Sequence, residues 1–132
     1  MIKTTHDIEN YITPLGKMLN LENEPKWVML RFMMNISLSL EKEFDDAEVE
    51  VYDGKEYRLE QITGEGKGVD DFTKLFWDMI EVFDNITIKT KKELEENIQR
   101  HIIRGYLILK TSLKSDSNIF EFLGQDFWAR YT

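Results

Sequence analysis

The stretch that decides the fold is TKKELEENIQRHIIRGYLILKTSL, residues 90–113. Thr90-Lys91-Lys92-Glu93 has the form of a capping box, in which the Thr90 hydroxyl and the Glu93 carboxylate each satisfy an otherwise unpaired backbone donor. The spacing that follows predicts one long helix to about Leu113. On a wheel of about 100° per residue, Leu94, Ile98, His101, Ile102, Tyr106, Ile108, Leu109 and Leu113 share one broad arc, the expected core face. Lys92, Arg100, Arg104, Lys110 and Lys114 fall on the opposite side within about 120°, a cationic stripe several turns long. Such a stripe suits a phosphate backbone, because each cation can neutralise a phosphate and release a counterion. The plain alternative is a solvated face, and Glu96 stands four residues before Arg100, well placed for an intrahelical pair. Ile103 and Leu107 lie on this polar side too. Gly105 costs about 1 kcal/mol relative to alanine inside a helix, so it needs a reason such as the close approach of another helix. Ile103, Gly105 and Leu107 together mark an expected subunit contact.

Working outward, Asn23-Glu24-Pro25 is a helix-start signal, and Trp27 to Leu40 then runs almost continuously apolar, as a buried central helix does. From Asp7, residues Ile8, Tyr11, Ile12, Leu15, Met18 and Leu19 recur at helical spacing, with Pro14 expected to kink the segment or begin a new one. Ile2 to Thr5 have the makings of a short strand. Val49, Val51, Tyr57 and Leu59 alternate around Asp53-Gly54, which predicts a two-stranded hairpin with a tight turn. After the glycine-bearing loop Thr63–Gly68, residues Val69, Phe72, Leu75, Phe76, Met79, Ile80 and Phe83 mark an amphipathic helix. Ser115-Asp116-Ser117 restarts a short helix through Phe120 and Leu123, closed at Gly124. The acidic run from Glu41 to Glu50 reads as a solvated connection. The expectation is a mainly α fold, a compact bundle of about four to five helices with a small β-hairpin and a short N-terminal strand. The whole chain, 1–132, is expected to form one domain.

Composition narrows the function. The 132 residues are 42% hydrophobic, enough for one core, and carry a net charge of −8. The negative surplus belongs to residues 1–66, with 14 acidic and 7 basic side chains, whereas residues 67–132 carry 11 and 10. With no cysteine, disulfides, thiolate metal sites, cysteine nucleophiles and persulfide transfer are excluded, and two histidines argue against a histidine-rich metal centre. We expect neither a metal nor a cofactor. No apolar run approaches a membrane span, and the start lacks the apolar core of a secretory signal, so a cytoplasmic protein is expected.

Other chemistry-bearing residues have structural readings. His101, on the core arc, reads as a hydrogen-bonded buried histidine rather than a catalyst, and His6 stands near a terminus. The loop at Thr63–Gly68 lacks the Lys-Ser/Thr ending of a phosphate-binding loop and reads as a hinge or an anion-contacting turn. Trp27, Trp77 and Trp128 are aromatic platforms in principle, with Trp128 the candidate for exposure.

Two blocks together, Gly54-Lys55-Glu56-Tyr57-Arg58-Leu59 followed by Ile62-Thr63-Gly64-Glu65, and His101-Ile102-Ile103-Arg104-Gly105 with Leu109, resemble the DNA sulfur-modification family DndE. The Trp27 to Leu40 segment, ending Ser37-Leu38-Ser39-Leu40, is similar to that family's second helix, so the resemblance covers most of residues 5–124. It implies a small helical subunit, often oligomeric, in a bacterial system that replaces a non-bridging phosphate oxygen of DNA with sulfur, beside a desulfurase, an Fe–S protein and an ATPase. It also implies binding to duplex DNA, nicked duplex in particular. The leading expectation is therefore an accessory DNA-binding and assembly subunit of a phosphorothioation system, with no catalytic constellation of its own. Two alternatives stand beside it. The acidic balance, Ile103 and Leu107 suit a protein-interaction adaptor, and the Ile2–Thr5 strand with two following helices suits a ribbon-helix-helix regulator.

Overall fold

In a computed structural model of the chain, residues 1–39 and 51–113 are described. Their elements are β1 (Ile2–Lys3), α1 (His6–Met18), α2 (Lys26–Ser39), β2 (Glu56–Tyr57), α3 (Leu59–Thr63), a 3-10 turn (Gly68–Asp70), α4 (Thr73–Asp84) and α5 (Lys91–Ser112). The fold is mainly α with one small antiparallel sheet, as the periodicity predicts. The acidic run 41–50, Lys114, the short helix expected after Ser115 and Trp128 lie outside the described residues.

The most extensive packing is between α2 and α5. Met29, Leu30, Met33 and Met34 from α2 join Leu94, Ile98, Ile102 and Leu109 from α5 in one cluster, each at most 2% exposed. Burying such a side chain contributes about 1.5–3 kcal/mol, so this pair of faces anchors the bundle. At its centre α5 presents Gly105 to the backbone of α2: a Cβ there would lie 1.7 Å from the Met33 carbonyl oxygen. The close approach read from Gly105 is therefore to another helix of the same chain. Thr90 caps α5, its Oγ1 accepting from Glu93 N at 3.1 Å, while the Glu93 carboxylate accepts from Lys89 N at 2.8 Å, one residue earlier than a capping box requires. Over α1, Thr5 Oγ1 caps Ile8 N, and Ile8, Ile12 and Leu15 face the core. The helix runs through Pro14 as one element, with the ring on the exposed side.

The sheet has a different partner from the one expected. Glu56–Tyr57 pairs with Ile2–Lys3, in the register Ile2 to Tyr57 and Lys3 to Glu56, while Val51 and Tyr52 lie exposed outside any strand and Leu59 opens α3. The reason is that Thr4 takes the hydrogen bonds of the expected turn. Gly54 N donates to Thr4 O at 3.0 Å, Thr4 N donates to Lys55 O at 3.0 Å, and Lys55 N donates to Thr4 Oγ1 at 3.0 Å. A Cβ on Gly54 would sit 2.5 Å from Thr4 Oγ1, so glycine serves close approach here, and its φ is not positive. Asp53 Oδ1 accepts from His6 N at 2.7 Å. This intrachain pairing also removes the ribbon that a ribbon-helix-helix regulator pairs between two copies.

A second difference concerns Val69, expected to open the amphipathic helix. It sits in the 3-10 turn, 93% exposed, because Gly64 ends α3 with φ +78° and the chain folds back so that Phe72 N donates to Thr63 O at 2.8 Å. Phe76 and Ile80 are the buried residues of α4, whereas Leu75, Val82 and Phe83 are exposed.

Gly105→Ala tests the central contact. Overpacking against a carbonyl that cannot rotate away should cost about 3 kcal/mol, and urea unfolding of the variant should show a much lower midpoint with an unchanged slope. A midpoint within experimental error of the parent's would show that α2 and α5 are not held at this distance.

Candidate nucleic-acid interface

The five expected phosphate contacts do not form one exposed row. Lys92, Arg100 and Lys110 are exposed, Lys114 lies outside the described residues, and Arg104 is buried. Six consecutive residues, His101 to Tyr106, are buried, so α5 has no exposed face over more than one and a half turns. The wheel failed here because it infers exposure from the polarity of a residue, and Arg104 satisfies its polarity internally. Its guanidinium donates to Ser37 O at 2.6 Å and to Ser37 Oγ at 3.1 Å. Ile103, expected on a subunit contact, is 5% exposed in the core of its own chain. Gly105 faces α2, and of that trio only Leu107, 42% exposed, is on the surface.

Arg104 belongs to a chain of buried polar groups. Ser37 Oγ lies 2.7 Å from His101 Nδ1, and His101 Nε2 lies 2.6 Å from Asp84 Oδ2. Since an ionised carboxylate only accepts, neutral His101 donates from Nε2 to Asp84 and accepts at Nδ1 from the Ser37 hydroxyl, whose oxygen accepts in turn from Arg104. Serine, histidine and aspartate in a row have the composition of a hydrolytic triad, but Ser37 and His101 are each 1% exposed, and no substrate can reach the oxygen. The expectation of a hydrogen-bonded buried His101 holds. Burial is the foremost cause holding its imidazole below the ordinary histidine range, aided by Arg104 and Arg100 and opposed by Asp84.

Two lysines not singled out from the sequence come together beside Glu9. Lys26 Nζ stands 3.7 Å from Glu9 Oε1, and the nearby Lys26 ammonium holds Lys55 below the ordinary lysine range. Glu9 is already occupied, accepting from Thr4 Oγ1 at 2.7 Å and from Tyr57 OH at 3.0 Å. Nothing in linear spacing joins residues 9, 26 and 55; the packing of α1 on α2 and the pairing of β1 with β2 do. At the far end of α5, Lys110 Nζ donates to Tyr106 OH at 2.9 Å, which raises the lysine.

Arg31 is also structural. Its Nε and Nη2 donate to Ile62 O at 3.0 and 2.6 Å, and its guanidinium lies 4.5 Å from the Trp27 ring centroid and 5.5 Å from that of Phe72. The signal was present in the sequence as an arginine within an apolar run. Among the described residues no three His, Asp or Glu side chains are grouped so as to hold a metal ion, and no helix is long and apolar enough to cross a membrane.

The family model for DNA sulphur modification protein DndE matches residues 1–117. The chain belongs to the DndE family. It is therefore a protein of DNA sulfur modification. No curated protein and no solved structure gives a significant match. The residues by which the chain resembles DndE proteins act mostly as internal joints. Gly54 admits Thr4, Tyr57 holds Glu9, and the Ile62 carbonyl receives Arg31. Gly64 turns the chain where a Cβ would lie 2.1 Å from Asp70 O, and His101, Arg104 and Gly105 lock α5 to α2.

The histidine gives a pH test. The unfolded chain takes up a proton near pH 6.5, whereas folded His101 resists it, so stability is level above that pH and falls as pH drops below it. Urea midpoints should agree at pH 8 and 7 and decline by pH 5.5, and the His101 imidazole resonances should titrate below 6.5. A titration midpoint above 6.5 would show that Asp84 outweighs burial.

Proposed function

We propose that this DndE-family chain is an accessory subunit that holds duplex or nicked DNA by its phosphates for the sulfur-modification machinery. The observation that carries the reading is the position of Lys92 and Lys110. Both are exposed, and 18 residues make five helical turns, so they stand on one side of α5 about 27 Å apart. That separation lets the two lysines reach different phosphates of one duplex. Arg100 is exposed between them, while the Lys26 and Lys55 ammoniums offer a further pair of cations for an anion to bridge. Partner subunits of the machinery, and further copies of the chain meeting at surfaces such as Leu107, complete the proposed assembly.

A second reading, a protein-bridging adaptor, is favoured by a specific feature. The exposed side of α4 carries Leu75, Val82 and Phe83, apolar surface that phosphate contacts do not use.

Replacing both Lys92 and Lys110 with Gln should weaken binding similarly for unrelated sequences and make the log–log salt slope shallower by about two units. The circular dichroism spectrum should be unchanged and the melting temperature slightly lower, since Lys110 gives up its hydrogen bond to Tyr106 OH. An unaltered slope in the folded double variant would remove this face from DNA contact.

A further inference from the structure

α4 carries two unlike surfaces side by side. Leu75, Val82, Phe83 and Ile86, with Phe72 just before the helix, are each 37% exposed or more. At about 100° per residue Leu75, Met79, Val82 and Phe83 form one continuous arc about 100° wide on α4, with Phe72 and Ile86 flanking its ends. The adjoining arc bears Asp78 and Glu81, and with Glu65, Asp71 and Trp77 these line an open cleft of about 710 Å³. Its two lysines are already engaged, Lys91 with Glu65 at 3.1 Å and Lys74 with Asp78 at 3.6 Å. The second oxygen of Glu65 is buried and accepts no hydrogen bond. Asp71, held below the ordinary carboxylate range by hydrogen bonds from Thr73 and Gly66, keeps its negative charge.

We propose that this face of α4 docks a basic amphipathic helix of another protein, its apolar stripe lying on Leu75, Val82 and Phe83 and a flanking lysine or arginine entering the acidic cleft beside Trp77. The 12 residues of α4 span about 18 Å, which a partner helix of about four turns covers. A cation in the cleft gains the carboxylates and the indole face together. Charge selects this occupant over the others. Residues 40–50 carry six acidic side chains and one basic, and residues 114–132 carry three and two, so both segments are net negative and fit an acidic cleft less well than a basic helix does. A second copy meeting the same face about a two-fold axis would set the acidic rows against each other. The inference rests on the adaptor reading and is independent of the phosphate contacts on α5.

The test uses the full chain and a labelled synthetic 18-residue peptide with leucines at i, i+3, i+4 and i+7 and lysines on both flanks, measured by fluorescence anisotropy. Saturable binding is expected, at least tenfold weaker for a scrambled peptide and for one with glutamates in place of the lysines. Leu75→Ser with Val82→Ser should weaken binding at least tenfold. Asp78→Lys should weaken it several-fold and flatten its salt dependence. All these positions are exposed, so the melting temperature should hold. Equal binding of the three peptides, or unaltered binding by the double serine variant, would overturn the proposal. So would light scattering in which the parent is an oligomer that the double variant breaks, since a second copy would then own the face. The DNA salt titration of the same double variant keeps the two readings apart: an unchanged slope beside lost peptide binding assigns α4 to a protein and leaves α5 to DNA.

Discussion

The contact between Gly105 and the Met33 carbonyl sets the geometry that the other elements follow. Where α2 and α5 cross with no side chain between their backbones, residues one turn away are brought within hydrogen-bonding distance. Ser37 lies one turn beyond Met33, and His101 one turn before Gly105. With Arg104 they meet in a region from which water is excluded, and a buried donor or acceptor left unpaired there costs about 1–3 kcal/mol. Asp84 completes the row from α4, so the same chain of hydrogen bonds that satisfies the crossing also fixes where α4 sits. The N-terminal strand is fastened to the same helix, with Lys3 N donating to Gln99 Oε1 at 2.6 Å and the N-terminal ammonium paired with Glu95.

The helices were legible in the sequence because their signals are local. Thr90, Pro25 and the apolar runs act within a turn or two of their own positions, and α2 and α5 lie where those signals put them. The core arc of α5 was legible for the same reason, including the buried histidine. The sheet was not, since Asp53-Gly54 has the composition of a turn whether or not the residues on either side pair with each other. What decided the pairing was Thr4, about fifty residues away, whose hydroxyl and backbone occupy Gly54 and Lys55.

Of the candidate site, the exposure of Lys92, Arg100 and Lys110 was legible in the sequence and the burial of Arg104 was not. A helical wheel sorts residues by polarity, and it therefore places an arginine outside unless a buried acceptor is known. Arg104 has Ser37, an acceptor on another helix, and goes inside. The opposite error occurred on α4, where the apolar face was expected to be covered and Phe72, Leu75 and Phe83 are not. Both failures have one cause: exposure is a property of tertiary neighbours, and amphipathicity reports only that a helix has two faces. A helix with an apolar arc wider than its own core contact has surface left for something else to cover.

The net charge of −8 is a poor guide to what such a molecule binds. At physiological ionic strength the Debye length is about 8 Å, so exposed charges farther apart than that act nearly independently. Lys92 and Lys110, about 27 Å apart by helix rise, would each meet an approaching phosphate largely through their own surroundings. The carboxylates on α4 likewise act on what enters their cleft more than on the distant end of α5. An acidic chain can therefore present a phosphate-binding edge and a cation-binding face at once. The two would differ in the degree of their response to salt, because phosphate contacts weaken as counterions return, whereas the apolar part of a contact on α4 is little screened. Unlike forces on separate helices would let one small subunit hold nucleic acid and protein together without either partner competing for the other's surface.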